Sequence, residues 1–457
     1  MDPPVIGLDL GTRHLRAAVF RNNRVEVIRD ELGNDSTPSY VGFNRQPDNP
    51  TILLGQHAYD LAQRDLTLPV YGLKKLLGRM ADDPMIAAEK GSWPFQVLAG
   101  EDGLATVGIP GRPKLYRPEE LLSMLVRKVI ENVDVNFGVP VKEAVVTVPA
   151  CFSFTDRERI VHLCATAGIK VTRMVNEAWA AAVAYGFDSE LSGEINVLVI
   201  NLGAGFFDVG CITIEDTIYE VRASYGSPIT PDAITEFHSG NFQNVLKCVK
   251  KVKSESKVEK INRIFLSGGS PFLPLLQGAL QNLFVEVNPE IVTNPSVAAV
   301  RGAAIYAALL GGERSRYLED LLILSATNFA FGIKTVDGSV KTVVQRNYTY
   351  AAKEHRQFTT SMDDQTTVIF DVYETGEQGG TSEERFLGEV VLSDLPPLPK
   401  GRLVLDVTFD IDFNHLVRVT VGYAKLKLEK KLTLSKVCIM HVAGRLGYDF
   451  RVPHEVL

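Results

Sequence analysis

The feature that most constrains the fold is a strand–glycine–strand pattern that occurs twice, far apart in the chain. The first copy, "VIGLDLGTRHLRAAVF", places Asp9 at the end of an apolar run, just before a turn at Gly11–Thr12. The second copy, "NVLVINLGAGFFDVG", has Gly203 and Gly205 in the turn and Asp208 after it. Glycine lets backbone N–H groups come close to a phosphate. Two such turns either hold the phosphates of a nucleotide across a cleft or are ordinary tight turns, and the spacing alone favours neither.

A third glycine turn lies in "IFLSGGSPFLP", where Gly268, Gly269 and Ser270 follow an apolar run. Two residues of the second turn are unexpected at a phosphate site. Asn201 stands where a carboxylate facing a metal ion is expected, and the bulky Phe206 comes directly after the glycines. The sequence therefore raises the question of whether the site is working or degenerate.

Composition narrows the class of protein. The 457 residues allow two or three domains of about 150 residues each. No apolar run reaches about 18 residues, and the first residues lack the pattern of a secretory signal, so neither a membrane partner nor secretion is expected. Five cysteines without a CxxC pair predict a reducing compartment, which indicates a cytoplasmic or nuclear location. The net charge of −7 argues against nucleic acid as the main partner.

Hydrophobic periodicity divides the chain into two parts. Residues 1–312 alternate short apolar strands with helices, as in the predicted helix from Glu177 to Tyr185, which favours α/β layers. Residues 326–435 alternate apolar and polar positions with period two, which predicts an antiparallel β domain. We place a linker at 313–325 and a short C-terminal tail at 436–457.

A lysine-rich stretch, "VKKVKSESKVE", occupies residues 249–259. The simplest interpretation is the solvated end of a helix and its following loop. A binding patch is the alternative, and it requires more evidence than the run of charges provides.

Ordered motifs along the whole chain resemble the heat shock protein 70 family. They include "VIGLDLGT", "LKKLLGRM", "AVVTVPACFS", "VNEAWAAAVAYG", "INLGAGFFDVG", "LSGGSPFLP", "EDLLIL" and "VTFDIDFNHLVRVTV". The resemblance covers residues 4–435. It implies an α/β actin-like ATPase fold followed by an all-β sandwich, with ATP or ADP and magnesium as cofactors. It also implies unfolded or extended polypeptides and co-chaperones as partners.

The resemblance assigns roles to individual positions. Asp9, Gly11 and Thr12 match the first phosphate loop, and Gly203, Gly205 and Asp208 match the second. Asp9 and Asp208 would face the metal, and Glu177 would position water and metal. The remaining matches are Gly268, Gly269 and Ser270 beside adenosine, Pro149 and Arg157 as relay residues, and Ile333, Thr335, Val336, Phe358, Ser361, Val368 and Phe370 in the peptide cleft.

Several positions depart from the family pattern. Met80 stands where we expect the lysine that neutralises charge on the transferred phosphoryl group, and Asn201 brings no negative charge to a hydrated magnesium ion. Phe206 replaces a hydroxyl beside the γ-phosphate. Further departures are Arg13, Ala204 and Phe272, of which the last still offers an aromatic ring for stacking on adenine.

A larger departure is the short span at 226–262, where the family has an extra lobe that encloses the adenine. After "KKLTLSKV" we likewise expect no helical lid of the kind the family has. The leading hypothesis is a chaperone relative that binds unfolded or extended apolar segments, with ATP hydrolysis lost and ATP binding weak or absent. The alternatives are an active ATP-dependent folding chaperone and a non-chaperone interaction protein with a pseudo-ATPase domain.

Overall fold

The computed structural model describes residues 3–44, 51–64, 67–189, 193–350, 352–378, 381–411, 417–423 and 428–433. The chain divides into two compact units, residues 1–324 and 325–457. The predicted tail at 436–457 lies outside the described residues. Within the described residues, no helix combines the length and apolar character that crossing a bilayer requires.

The strands described in the first unit form four sheets. In chain order they are β1 (Ile6–Leu10), β2 (His14–Arg21), β3 (Arg24–Val27), β4 (Thr37–Pro38), β5 (Tyr40–Asn44), β6 (Ile52–Leu54), β7 (Thr67–Tyr71), β8 (Gln96–Ala99), β9 (Ala105–Gly108), β10 (Leu115–Tyr116), β11 (Glu143–Val148), β12 (Lys170–Asn176), β13 (Glu194–Leu202), β14 (Phe206–Glu215), β15 (Ile218–Pro228), β16 (Arg263–Ser267), β17 (Pro289–Ile291) and β18 (Leu322–Leu324).

The helices of this unit connect and cover those strands. They are α1 (Gln56–Gln63), α2 (Pro84–Glu89), α3 (Pro118–Phe137), α4 (Phe154–Thr166), α5 (Glu177–Asp188), α6 (Pro231–His238), α7 (Gln243–Ser256), α8 (Leu273–Leu283), α9 (Ala298–Leu310) and α10 (Arg316–Glu319). Short 3₁₀ turns occur at Leu73–Lys75, Lys90–Ser92 and Pro295–Val297. The predicted α/β pattern is confirmed in this unit.

Two sheets of the first unit share one topology. Their strand orders are β12-β11-β1-β2-β3, with β4 beside β2, and β17-β16-β13-β14-β15-β18. In each sheet an antiparallel strand meander carries one glycine turn and lies beside two parallel strands. The first turn therefore leaves β1 and the second leaves β13 at equivalent places.

Two helices rich in alanine pack between these sheets. Helix α9 contacts β1, β2 and β11 of the first sheet, α5 contacts β13 and β14 of the second, and the helices contact each other. The two helices lie so close that a Cβ atom on Gly302 would be 1.7 Å from the carbonyl oxygen of Ala180. This close packing fixes the distance between the two sheets and hence between their turns.

Replacing Gly302 with alanine is expected to lower the free energy of unfolding by about 1–3 kcal/mol, because α5 and α9 must move apart. Gly278 in α8 is the matched control, since no atom lies within 4 Å of the Cβ position there. Gly278→Ala is expected to stabilise the chain by about 0.5–1 kcal/mol through helix propensity. Denaturant unfolding of both variants measures the difference, and equal effects would contradict the tight contact.

The second unit is built from strands alone among its described residues. They are β19 (Ala330–Lys334), β20 (Val340–Val344), β21 (Ala352–Thr359), β22 (Val368–Gln378), β23 (Thr381–Leu392), β24 (Val404–Ile411), β25 (Val417–Tyr423) and β26 (Leu428–Thr433). They form two antiparallel sheets with orders β20-β19-β22-β23 and β21-β24-β25-β26. Leu405, Val407 and Phe409 are fully buried on one face of β24, as the period-two pattern predicts.

All but the last residue of the segment that we predicted as a linker, 313–325, belongs to the first unit, where it contains regular structure. It contains α10, and β18 pairs in parallel with the start of β15. The hydroxyl groups of Tyr317 and Tyr219 hydrogen-bond at 2.8 Å, and Thr217 Oγ1 donates to the carbonyl oxygen of Asp320 at 2.8 Å. The apolar residues 322–324 therefore complete a sheet edge of the first unit.

Candidate functional site

The three glycine turns lie together in the first unit. A Cβ atom on Gly205 would lie 2.4 Å from Thr12 Oγ1, so the first two turns touch. A Cβ atom on Gly268 would lie 2.1 Å from the carbonyl oxygen of Leu202, which brings the third turn against the second. Gly268 also has φ of +104°, a conformation that favours glycine. Glycine is required here by close backbone approach.

The other turn residues follow the same arrangement. A Cβ atom on Gly11 would lie 2.3 Å from the carbonyl oxygen of His14, and the Gly203 N–H donates to the Phe206 carbonyl at 3.0 Å. The Ser270 N–H donates to the Leu202 carbonyl at 3.2 Å. The Cβ position of Gly269 is the least crowded of the set, with its nearest neighbour at 3.7 Å.

A chain of buried polar side chains runs beside the turns. Glu177, the first residue of α5, accepts a hydrogen bond from Lys74 Nζ at Oε1, at 2.8 Å. Its Oε2 accepts from Asn201 Nδ2 at 2.8 Å, and Asn201 Oδ1 accepts from Ser267 Oγ at 3.0 Å. Asn201 therefore donates to a carboxylate on one side and accepts from a hydroxyl on the other, which an aspartate in that position would do only when protonated.

The buried carboxylates of the site influence one another. Burial raises the pKa of Glu177; the Lys74 ammonium opposes that rise and the charge of Asp9 adds to it. Asp208 is fully buried, and burial raises its pKa well above the usual range, with a further contribution from Glu177. The Ala150 N–H, 3.0 Å from Asp208 Oδ1, acts in the opposite direction.

Asp9 and Asp208 are engaged by groups of the protein. Thr147 Oγ1 donates to Asp9 Oδ1 at 2.6 Å, and the Ala150 N–H lies within hydrogen-bonding distance of both Asp208 oxygens. Among the described residues, no group of three or more carboxylate, histidine or cysteine side chains converges as a metal site requires. The assignment of Asp9 and Asp208 as metal-facing residues stays a prediction.

Phe206 lies inside this site and is buried. Its ring meets the ring of Phe152 edge-on, with 5.5 Å between centroids. Lys74 Nζ lies 5.6 Å from the Phe152 centroid and 5.7 Å from the Phe206 centroid. The Lys74 ammonium is thus enclosed by two aromatic rings and the Glu177 carboxylate, an arrangement that stabilises a desolvated cation.

Met80 does not belong to this site, and the expectation that a methionine takes the place of a lysine here is wrong. Met80 is 47% exposed, and its methyl group packs over Gly103. The lysine at the site is Lys74, six residues earlier in "LKKLLGRM", where a 3₁₀ turn directs it toward Glu177. The positive charge that we expected to be lost at Met80 is therefore present at Lys74.

Lys75, the neighbour of Lys74, was also missed. It forms a buried ion pair with Glu89, and its Nζ donates to the carbonyl oxygen of Ile229 at 2.8 Å. Burial lowers the pKa of Lys75, and Glu89 opposes that effect. Two adjacent lysines among the leucines of Leu73–Leu77 are the sequence signal for such a pair. Lysines in an apolar run become buried, and buried lysines need nearby partners.

An aromatic cluster closes the side of the third turn. Phe272 packs against Phe237 at 5.7 Å and against His238 at 4.8 Å between ring centroids. Phe237 stacks on Phe242 at 4.8 Å. Helices α6 and α7 therefore make up the short span at 226–262, in which we expected a lobe of the family to be missing. Arg13 and Ala204, the other departures from the pattern, are exposed.

Pro149 and Arg157, predicted as relay residues, lie near Phe152. The Pro149 carbonyl accepts from the Phe152 N–H at 3.0 Å. The Arg157 guanidinium is buried and donates to the Phe152 carbonyl at 3.1 Å and to Asn176 Oδ1 at 2.9 Å. Both thus contact the residue on which Phe206 packs, and their role in a relay stays a prediction.

The predicted peptide-binding residues belong to both sheets of the second unit. Ile333 and Phe370 are buried, with 2% and 3% of their surface exposed, while Val336 is 88% exposed. Phe358 and Phe370 join the two sheets, with centroids 6.0 Å apart. The other members, Thr335, Ser361 and Val368, are half-buried. Five of the seven predicted side chains are therefore accessible to a peptide at the surface.

Comparison with known proteins decides the family. The model of the family described as "Hsp70 protein" matches residues 5–230 and 228–438. The chain belongs to the Hsp70 family. Heat shock cognate 70 kDa protein 3 of Dictyostelium discoideum is 32% identical over 521 aligned residues, which cover 97% of this chain and 81% of that protein. Heat shock 70 kDa protein of Neurospora crassa is 30% identical over 98% of this chain and 79% of its own length.

Membership confirms the fold expected from the sequence, an Hsp70 ATPase-like α/β unit followed by a β-sheet unit. It also establishes a chaperone relationship, since Hsp70 proteins bind unfolded polypeptides and co-chaperones and use ATP or ADP with magnesium. The 521 aligned positions exceed the 457 residues of this chain, so part of the relative's aligned sequence has no counterpart here.

Proposed function

We propose that this Hsp70 relative binds unfolded or extended apolar polypeptide segments without an ATP hydrolysis cycle. The observation that carries the proposal is Phe206, which directly follows the second glycine turn and whose buried ring packs on Phe152 and lies against Lys74. An aromatic ring in this position leaves no hydroxyl donor for a γ-phosphate. The α/β unit then serves as a fixed scaffold, and the β-sandwich makes the contact with polypeptide.

The fit of ATP and magnesium to the site is poor. The glycine turns have the open backbone that a phosphate requires. The buried polar side chains beside them, however, already have partners inside the protein: Lys74 pairs with Glu177, and Asn201 with Ser267. Asn201 supplies no charge for a hydrated metal ion. We therefore derive no hydrolytic step from this geometry.

The alignment supports the loss of an enclosing lobe. The family model matches in two segments that meet at residues 228–230, as expected where family residues are missing from a chain. In the structure β15 ends at Pro228, and only α6 and α7 separate it from β16. A cleft without that lobe excludes water less well, which weakens both nucleotide binding and transfer chemistry.

An active ATP-dependent chaperone is the second candidate, and Lys74 favours it. Its ammonium lies among Glu177, Phe206 and the glycine turns, where a positive charge would stabilise a transferring phosphoryl group. Release of Lys74 from Glu177 by a bound nucleotide would be required. The two candidates differ in whether the intact chain binds ATP tightly.

Calorimetric titration of the full chain with ATP and ADP, with and without magnesium, is the direct test. We expect neither nucleotide to bind with a Kd below the millimolar range. We also expect an extended apolar peptide to bind with equal affinity in the presence and absence of ATP. Micromolar, magnesium-dependent ATP binding that weakens peptide binding would replace our proposal with the active chaperone.

A cytoplasmic location is also a proposal; the cysteines at 151, 164, 211 and 248 are free, as a reducing compartment allows.

A further inference from the structure

A cleft of about 520 Å³ lies on the first unit, away from the glycine turns. It is formed where the end of α7 and the residues after it meet the end of α8. Its apolar wall consists of Val258, Leu283 and Phe284, all half-buried. Exposed Lys250 and Lys253 stand along its edge. The cleft thus combines a small apolar surface with positive charge.

The lysines share one side of α7 and its end. Lys250 and Lys253 are three residues apart on α7, which places them on one face of the helix. Lys257 follows the helix end with a left-handed backbone, φ of 57°, and lines the same cleft. Among the described residues, no carboxylate lies within 4.0 Å of any of the three. Lys251, on another side of the helix, pairs with Glu255 at 3.9 Å.

Helix stability alone does not explain this arrangement. Cations stabilise the last turn of a helix, and Lys253 and Lys257 gain from that effect at the end of α7, Ser256. Lys250 lies almost two turns before that end and gains little. The positive charge is also concentrated in this segment: residues 243–263 contain seven lysines or arginines and only two glutamates, whereas the whole chain has a net charge of −7.

We infer that this cleft binds an acidic segment of a partner polypeptide. Carboxylates of the segment pair with Lys250, Lys253 and Lys257, and one apolar side chain packs on Leu283 and Phe284. Lys253 Nζ lies 5.8 Å from the Phe284 centroid, so the cation and the apolar wall are adjacent. This inference concerns a different surface from the β-sandwich and does not depend on the nucleotide state.

A polypeptide fits the cleft better than a nucleic acid or an anionic lipid surface. The volume of about 520 Å³ accommodates a few residues and not an extended polyanion. The apolar wall of Val258, Leu283 and Phe284 offers a phosphate backbone no favourable contact, whereas an apolar side chain of a peptide can pack on it. Carboxylates spaced along a short peptide can approach the lysines while avoiding Glu259 at the edge.

Binding of a fluorescein-labelled peptide, in which glutamates flank one leucine, tests the inference by fluorescence anisotropy with the full chain. Lys250→Glu/Lys253→Glu is expected to weaken binding about tenfold or more, because it replaces attraction with repulsion. Lys247→Glu is the matched control, since Lys247 is exposed on the same helix but does not line the cleft. Glu259→Gln is expected to tighten binding about twofold, a gain that misfolding does not produce.

Four results of the peptide experiment would overturn the inference. They are no measurable binding by the unaltered chain, equal loss in the Lys247→Glu control, unchanged binding after the double charge reversal, and unchanged binding when glutamine replaces glutamate in the peptide. Tighter binding of a single-stranded oligonucleotide or of phosphatidylserine-rich vesicles would also overturn it and would assign the cleft to those ligands. Circular dichroism of each variant ensures that the chain is folded.

Discussion

Replacing Lys74 with methionine is expected to lower the free energy of unfolding by about 3–5 kcal/mol, because it leaves a buried carboxylate without its counter-charge. Lys74 Nζ and Glu177 Oε1 are 2.8 Å apart, and both side chains are at least nine-tenths buried. Asn201 still donates to Glu177 in the variant, but a neutral amide does not balance the charge. Urea unfolding of the two proteins measures the loss.

Two controls show whether the loss comes from buried charge. Glu177→Gln in the Lys74→Met background removes the unpaired carboxylate and is expected to recover most of the stability. Lys170→Met breaks an exposed pair with Glu143, at 2.8 Å, and is expected to cost less than about 1 kcal/mol. If Lys74→Met lowered the free energy of unfolding as little as Lys170→Met does, Glu177 would not be held as a buried anion.

The pH dependence of the variant has a definite sign. Burial already raises the pKa of Glu177, and loss of Lys74 removes a group that lowers it, so the folded-state pKa rises further. A carboxyl group whose pKa is higher in the folded than in the unfolded state favours folding at low pH, and this contribution is lost as pH rises from the unfolded to the folded pKa. We therefore expect the deficit of Lys74→Met to shrink as the pH is lowered toward the ordinary pKa of a glutamate.

The sequence predicts the elements of this fold because their patterns are local. The strand on either side of Gly11, the α5 helix and the alternating residues of β24 each carry their periodicity within a few residues. The register of the hairpin at Arg21 and Arg24 follows from the two asparagines between them, which have φ of 52° and 56°.

The site was harder to predict because its contacts are far apart in the chain. Lys74 and Glu177 are separated by 103 residues, and nothing local distinguishes Lys74 from Lys75 or Met80 as the residue that turns inward. Which side chain points into the site is decided by a single 3₁₀ turn at Leu73–Lys75. The pairing of Asn201 with Glu177 was likewise invisible, since an asparagine in a strand has no pattern of its own.

Replacing Phe206 with threonine is expected to make the chain respond to ATP. The unaltered chain should show no thermal stabilisation by ATP and magnesium, because the buried ring directly after the second turn lies against Lys74. The substitution removes the ring and supplies a hydroxyl donor. Without nucleotide it should cost about 3–5 kcal/mol of stability, as large-to-small changes of buried aromatic residues do. ATP at about 100 times its Kd would restore about 2.7 kcal/mol.

The matched control for this experiment is Phe265→Thr. Phe265 is a buried phenylalanine on β16, in the same sheet, and its ring packs on Tyr185 with centroids 3.6 Å apart. Its replacement should cost similar stability but give no response to ATP, because Phe265 does not face the glycine turns. Stabilisation of the unaltered chain by ATP would show that Phe206 does not block the site. Absence of a response in Phe206→Thr, with the variant folded, would place the block at Asn201 or at the aromatic cluster around Phe272.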